Sequence, residues 1–420
     1  MGNIAVLALT LTISQINTFF EDDDLPHRLA VTLSQATSSL DIAFHQFYHH
    51  EVIDSLISAY NRGVRIRIIT EHDYVSYLQS LIDMGIPVID EGFGVNDTQH
   101  RMHNKFIVID YWDSDTSNDY VWTGSFNASY GLHADNAILI RSHTLAELFE
   151  AEFNQMWGDT GLSPDPSASR FGTRKTDVLP THYVLLPSMN LVEVYFSPQD
   201  NPIDRLAQLV HYADSLIDFC IYCYTSYDLR DAMIDGLGSG LTVRGVFDDQ
   251  MYNYNRSVFN LLSQNNAQVY WDSLPENFFY LHHKFMVIDD SITVTGSMNW
   301  TYSGTTYNDE NVVIIYSRTV SSQYENEFIQ RFVEAGGSLV NVDDDINPKD
   351  RTASSKLKAF PMVFDSKVRF NLEGVRIYDA TGKLVGRSDG FVFDGSALAD
   401  GVYFAVKGRQ AVKIVKSRIR

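Results

Sequence analysis

Two cysteines in 420 residues leave no basis for a disulfide framework or a four-thiolate zinc site. Cys220 and Cys223 lie in the apolar run Phe219–Tyr224, which reads as a strand and turns residues three apart to opposite sides. They are expected to be core residues, not a redox or metal pair. Long hydrophobic runs are also missing. Nothing reaches the roughly 18 uninterrupted apolar residues of a membrane-spanning helix, so with no transmembrane anchor a bilayer substrate would be met from outside. Basic residues are scarce over most of the chain. Residues 351–420 hold 14 Lys plus Arg against 6 Asp plus Glu, whereas residues 1–350 hold 18 against 47. A body of −29 beside a tail of +8 disfavours long-range attraction of a polyphosphate such as DNA. A local basic groove could still act within a Debye length of about 8 Å.

What is present is a globular composition, 45% hydrophobic and 13% aromatic, in a chain long enough for two or three structural units. Residues 1–18 are signal-peptide-like. Ile4–Ile13 has the length of an apolar h-region, but a basic n-region and a small-residue cleavage site are missing, and a buried first strand is the alternative.

The chain then repeats itself. Ser39-Leu-Asp-Ile-Ala-Phe and the following Arg62-Gly-Val-Arg-Ile-Arg-Ile-Ile echo Ser215-Leu-Ile-Asp-Phe-Cys and Leu241-Thr-Val-Arg-Gly-Val-Phe-Asp, the first pair at an offset of 176. Phe149-Glu-Ala-Glu-Phe matches Tyr324-Glu-Asn-Glu-Phe at 175. Near-constant offsets imply duplicated halves with small loop insertions. Each half reads strand, amphipathic helix, strand, helix and motif strand, an α/β layer architecture. The expected boundaries are 19–157 for the first half and 187–337 for the second, with linkers 158–186 and 338–360, the latter carrying Asp343-Asp344-Asp345. Residues 361–420 change to short alternating strands with turn signals, a small β-sandwich outside the repeat.

Each half carries one chemical motif. The first is His103-Asn-Lys105-Phe-Ile-Val-Ile-Asp110 with a downstream Gly124-Ser125-Phe-Asn127. The second is His282-His-Lys284-Phe-Met-Val-Ile-Asp289 with Gly296-Ser297-Met-Asn299. The histidines are 179 apart, close to the repeat offset. Period-2 geometry puts His and Lys on one strand face and turns Asp110 and Asp289 to the other, so these aspartates are expected to be structural. Ser125 and Asn127, like Ser297 and Asn299, share a face and are expected to bind the substrate phosphate beside the His–Lys pairs. Cleaving a phosphodiester needs a nucleophile, a proton for the leaving oxygen and neutralisation of the non-bridging oxygens. Two histidines supply the first two and two lysines and two asparagines the third, with no metal or other cofactor required. A catalytic imidazole also needs its second nitrogen held by a partner. Glu310 and Asp135 stand in corresponding places after the Gly-Ser-x-Asn segments and are the candidate carboxylates.

These motifs resemble those of the phospholipase D superfamily, whose signature is a doubled His-x-Lys-x4-Asp followed by Gly-Ser-x-Asn, over roughly residues 19–335. The resemblance implies two α/β halves forming one active site and a phosphohistidine intermediate released by water or another alcohol. It makes His103 the nucleophile and His282 the general acid, an order the residues alone leave open. One departure is the insertion Asp113-Ser-Asp-Thr-Ser-Asn-Asp119, a hairpin loop or, less fittingly without the glycine of an EF-hand, a calcium site. The tail, with Ile377-Tyr-Asp-Ala-Thr-Gly-Lys and Gly401-Val-Tyr-Phe, resembles a C-terminal sorting domain of the type IX secretion system. That resemblance implies contact with secretion machinery and a secreted or cell-surface location.

The leading expectation is a secreted, monomeric phosphodiesterase acting on phospholipid head groups at a membrane surface. Phe278, Phe279 and Tyr280 beside His282 could meet lipid tails, although strand core is their simpler role. An extracellular nuclease acting on nucleic acid, a phosphatidyl transferase of the cardiolipin-synthase kind and a non-catalytic adhesin are the alternatives.

Overall fold

A computed structural model describes residues 15–94, 101–254, 256–275 and 277–338, together with short stretches between 359 and 416. The apolar run Ile4–Ile13 and Asp343–Asp345 lie outside the described residues.

The first half opens with β1 (Ile16–Phe20), α1 (Leu25–Ser34), β2 (Ser39–Phe44), α2 (His50–Asn61), β3 (Arg65–Thr70), α3 (Gln79–Asp83) and β4 (Val88–Ile89). It continues with β5 (Lys105–Ile109), β6 (Tyr120–Gly124), β7 (Leu132–Ala134), β8 (Asn136–Arg141) and α4 (His143–Trp157). The second half repeats the plan with β9 (Tyr183–Leu185), β10 (Leu191–Ser197), α5 (Pro202–Tyr212), β11 (Leu216–Ile221), α6 (Tyr227–Gly238), β12 (Thr242–Phe247) and α7 (Phe259–Gln264). There follow β13 (Gln268–Trp271), β14 (Phe278–Leu281), β15 (Lys284–Ile288), β16 (Ile292–Gly296), α8 (Tyr302–Thr306), β17 (Glu310–Tyr316) and α9 (Arg318–Glu334).

The sheets run β1-β8-β6-β5-β2-β3-β4 and β13-β12-β11-β15-β16-β17-β10-β9, the same order read from opposite ends. β2 pairs parallel to β3 and antiparallel to the motif strand β5; β11 does the same between β12 and β15. The motif strands are buried on both faces, as their unbroken apolar runs require. α4 and α9 are each capped by a serine, Ser142 or Ser317, whose side chain accepts from the backbone three residues on. Phe106, Phe149 and Phe196 meet edge-on or tilted in a core that also takes Phe285, Phe328 and Tyr324, so residues of both halves fill one interior.

Several boundaries differ from the sequence reading. β1 starts at Ile16 and pairs with β8 as β10 pairs with β17, which brings residues 16–18 into the first half. The segment 158–186 is more than a connector. It adds β9 to the second sheet and buries Lys175, whose ammonium pairs with Glu152 and, at 2.9 Å, Asp309. β11 ends at Ile221, so only Cys220 is a strand-core cysteine; Cys223 lies half-buried beyond it. The insertion at Asp113–Asp119 is a turn-rich loop in which the Asp113 and Asp115 carboxylates accept from Asp115 N and Ser117 N. From Ala359 to Lys416 the tail forms a three-stranded and a five-stranded sheet around Val368, Ile377, Phe393, Ala405 and Ile414.

Candidate active site

Each motif strand begins at its lysine, and its histidine sits just ahead, on a segment that pairs with the other half. His103 N donates to Asp309 O at 3.0 Å and His282 N to Ala134 O at 2.9 Å. The residue following each acceptor is a carboxylate. Nδ1 of His103 lies 2.7 Å from Glu310 Oε2, and Nδ1 of His282 lies 2.9 Å from Asp135 Oδ1. The carboxylates therefore cross over: each half holds the other half's imidazole, and among the described residues no carboxylate engages either Nε2.

The Gly-Ser-x-Asn segments build this crossing. Gly124 and Gly296 have φ of +148° and +140°, and a Cβ on either would stand 2.3 Å from Asn136 O or Asn311 O. Only glycine lets the chain fold this close to the neighbouring strand. The next residue is thereby aimed at the carboxylate. Ser125 Oγ donates to Asp135 Oδ1 at 2.6 Å and accepts from Asn136 N; Ser297 Oγ donates to Glu310 Oε2 at 2.7 Å and accepts from Asn311 N. This corrects the expectation that the serines bind phosphate. Both are fully buried with their hydroxyls engaged, so they fix the carboxylates. Asn127 and Asn299 differ from them, because the buried Oδ1 of each has no hydrogen-bond partner among the described residues.

Lys105 Nζ donates to His103 O at 2.9 Å and stands 3.2 Å from His103 Nε2; Lys284 Nζ donates to His282 O at 2.7 Å. Burial of this cationic cluster governs its charge. It lowers Lys105 to about 7, with Glu310 opposing, and Lys284 to about 8, with Asp135 opposing. His103 falls well below the ordinary imidazole range through burial, Lys105 and the neighbouring His45. His282 is lowered to about 4 by burial and Lys284 against the pull of Asp135. The two carboxylates part company. Burial raises Glu310 to about 8, whereas burial of Asp135 is outweighed by His282 and Lys284, which hold it well below the usual range.

Asp110 and Asp289 stand outside this cluster. Each follows its strand with φ of +62° or +48° and caps a turn: Asp110 Oδ1 accepts from Thr37 N at 2.9 Å and Ser38 N at 2.7 Å, and Asp289 accepts from Asp214 N and Ser215 N at 2.8 Å. They tie the entry to β2 or β11 onto the end of the motif strand, a structural role.

Sequence reasoning missed the rings against the histidines. His45 and Tyr222 follow β2 and β11 at the repeat offset; His45 lies 4.5 Å from His103 and Tyr222 5.2 Å from His282. From each a file of aromatic rings leads outward. On one side Tyr74 meets His45 at 5.3 Å, and Tyr48 and Tyr77 stack beyond it. On the other, Tyr280 meets Tyr222 at 5.7 Å and stacks on His133, with Phe279 beyond. Phe279 is 61% exposed, so its expected strand-core role does not hold although it lies in β14. The one signal that could have exposed these rings was the position directly after each repeat strand.

Three comparisons place this site among known proteins. The family model described as cardiolipin synthase, PLD-like domain matches residues 29–157 and 206–332, one stretch in each half and together more than half of the chain. Mitochondrial cardiolipin hydrolase of Xenopus tropicalis is 30% identical over 129 residues, 31% of this chain and 60% of that protein. The human protein of the same name is 32% identical over 133 residues, 32% of this chain and 50% of its own length. The chain thus spans between half and two thirds of these relatives. A phosphatidylserine synthase structure from Haemophilus influenzae Rd KW20 shares the fold at 12% identity and a TM-score of 0.57, covering 76% of this chain and 86% of that one.

Proposed function

The chain belongs to the family of cardiolipin synthase-type, phospholipase D-like domains, and from that premise we propose a phosphodiesterase that hydrolyses phospholipid head groups through a histidine-bound intermediate. The carrying observation is the crossed pair of His–carboxylate contacts beside two buried lysines. His103 Nε2 attacks phosphorus, the bond to the leaving alkoxide breaks, and His282 gives that oxygen its proton. Water then attacks phosphorus while His282 takes its proton, and the phosphorus–nitrogen bond to His103 breaks, releasing phosphatidate and restoring both imidazoles. The order follows the family resemblance, and the partners lean the same way: Asp135 is held ionised beside His282, which the charge of a bound phosphodiester would help to protonate against its lowered pKa of about 4, whereas burial raises Glu310 beside His103. Lys105, Lys284, Asn127 and Asn299 receive the non-bridging oxygens. Preorganised donors of this kind are each worth roughly 2.7–4 kcal/mol in comparable sites.

A lipid substrate is supported by the aromatic files on a body whose charge repels polyanions, and by relatives named for cardiolipin hydrolysis. The tail is proposed as the export module of a secreted enzyme, on its resemblance to sorting domains. Release of a fluorescent head group from phosphatidylcholine or cardiolipin, set beside plasmid nicking, both in EDTA, tests the reading. Lipid turnover is expected. Nicking without lipid turnover would make the enzyme a nuclease, and transfer of phosphatidyl to added glycerol in place of hydrolysis would make it a transferase.

A further inference from the structure

The two aromatic files end in one surface patch. Tyr77 is 59% exposed, Tyr130 56%, Leu132 47% and Phe279 61%. They are contiguous. Tyr48 meets Tyr77 at 4.6 Å and Tyr130 at 6.0 Å, and a Cβ on Gly131 would stand 3.1 Å from the Phe279 ring. The patch is held by a two-stranded parallel sheet of β7 and β14, one strand from each half, in which Leu132 pairs with Phe278 and Ala134 with Leu281. One residue beyond Leu281 is His282, and one beyond Ala134 is Asp135. The strands that carry the exposed apolar side chains are thus the same strands that deliver a histidine and its carboxylate.

Large apolar side chains left in water at the rim of a cleft mark a surface that is covered when the protein works. Tyrosine and phenylalanine with their bodies in an apolar phase and their edges in water suit the boundary between lipid head groups and acyl chains. Resting on the lipid reading above, we propose that Tyr77, Tyr130, Leu132 and Phe279 form an interfacial binding surface that seats the cleft on a phospholipid bilayer. The charge distribution argues for this occupant over an acidic one. Residues 1–350 carry 18 basic against 47 acidic side chains, so adhesion cannot be led by attraction to phosphates and falls to apolar insertion.

The test compares one substrate chemistry in two physical states: dibutyroyl phosphatidylcholine as dissolved monomers, and large unilamellar vesicles of palmitoyl-oleoyl phosphatidylcholine. The double variant Y130S/L132S is expected to turn over the monomers within about twofold of the natural protein. On vesicles it should lose at least about tenfold, with a matching loss of co-sedimentation. Equal loss on monomers and vesicles would overturn the proposal, as would full vesicle activity of the variant. If the natural protein cleaves neither lipid form, the lipid reading itself falls and this surface with it; if it cleaves monomers and vesicles but the variant does too, only the surface is refuted.

Discussion

His103, Lys105, His282 and Lys284 form a buried cluster with Glu310 and Asp135, and burial is the largest influence lowering the imidazoles and ammonium groups. Removal of either imidazole, as His103→Ala or His282→Ala, is expected to lower turnover by at least about 10²-fold, the low end for an acid–base group. The lysines give a pH signature. Their folded pKa values are lowered to about 7 and about 8, so the ammonium proposed to hold phosphate is lost as pH rises through that window. A profile of kcat/KM, which reports the free enzyme, should fall on its alkaline side between about pH 7 and 8. A profile flat to pH 9 would contradict the assignment.

At the scale of elements, the crossing of carboxylates makes the halves interdependent, and the segment between them takes part. Asp309 directly precedes Glu310, accepts from Gly172 N at 2.8 Å and pairs with Lys175, so the linker pins the strand that holds His103. Lys175→Met leaves Glu152 and Asp309 buried without their cation and is expected to cost about 3–5 kcal/mol, seen as a lower urea midpoint. A midpoint unchanged from the natural protein would show that the pair contributes no stability. The motif strands and the duplication were legible in the sequence, because period-2 patterning and a constant offset are local signals. The partners of the histidines were not, since His103 and Glu310 are 207 residues apart and nothing local says that the pairs cross. Ser125 and Ser297 misled for a related reason: strand parity gives the face of a side chain but not how far along it the hydroxyl is already engaged. Lys175 was hidden in a stretch whose composition reads as loop, although its burial comes from contacts with both halves.

At the scale of the whole molecule, two similar sheets meet around a shared core and bring both motifs into one buried cationic cluster, in a body whose sequence is strongly acidic over residues 1–350. With lysines and asparagines of the chain proposed to meet the phosphate, activity is expected to persist in EDTA; strong inhibition reversed by one metal would contradict that. The central claim is that this cluster is one site with one nucleophile. It is tested most directly by rapid acid-free quenching with phosphatidylcholine followed by mass spectrometry of the peptides. A phosphatidyl adduct is expected on the peptide containing His103, absent from His103→Ala and accumulating in His282→Ala given a substrate with a good leaving group. An adduct on His282, or turnover that survives His103→Ala, would contradict it.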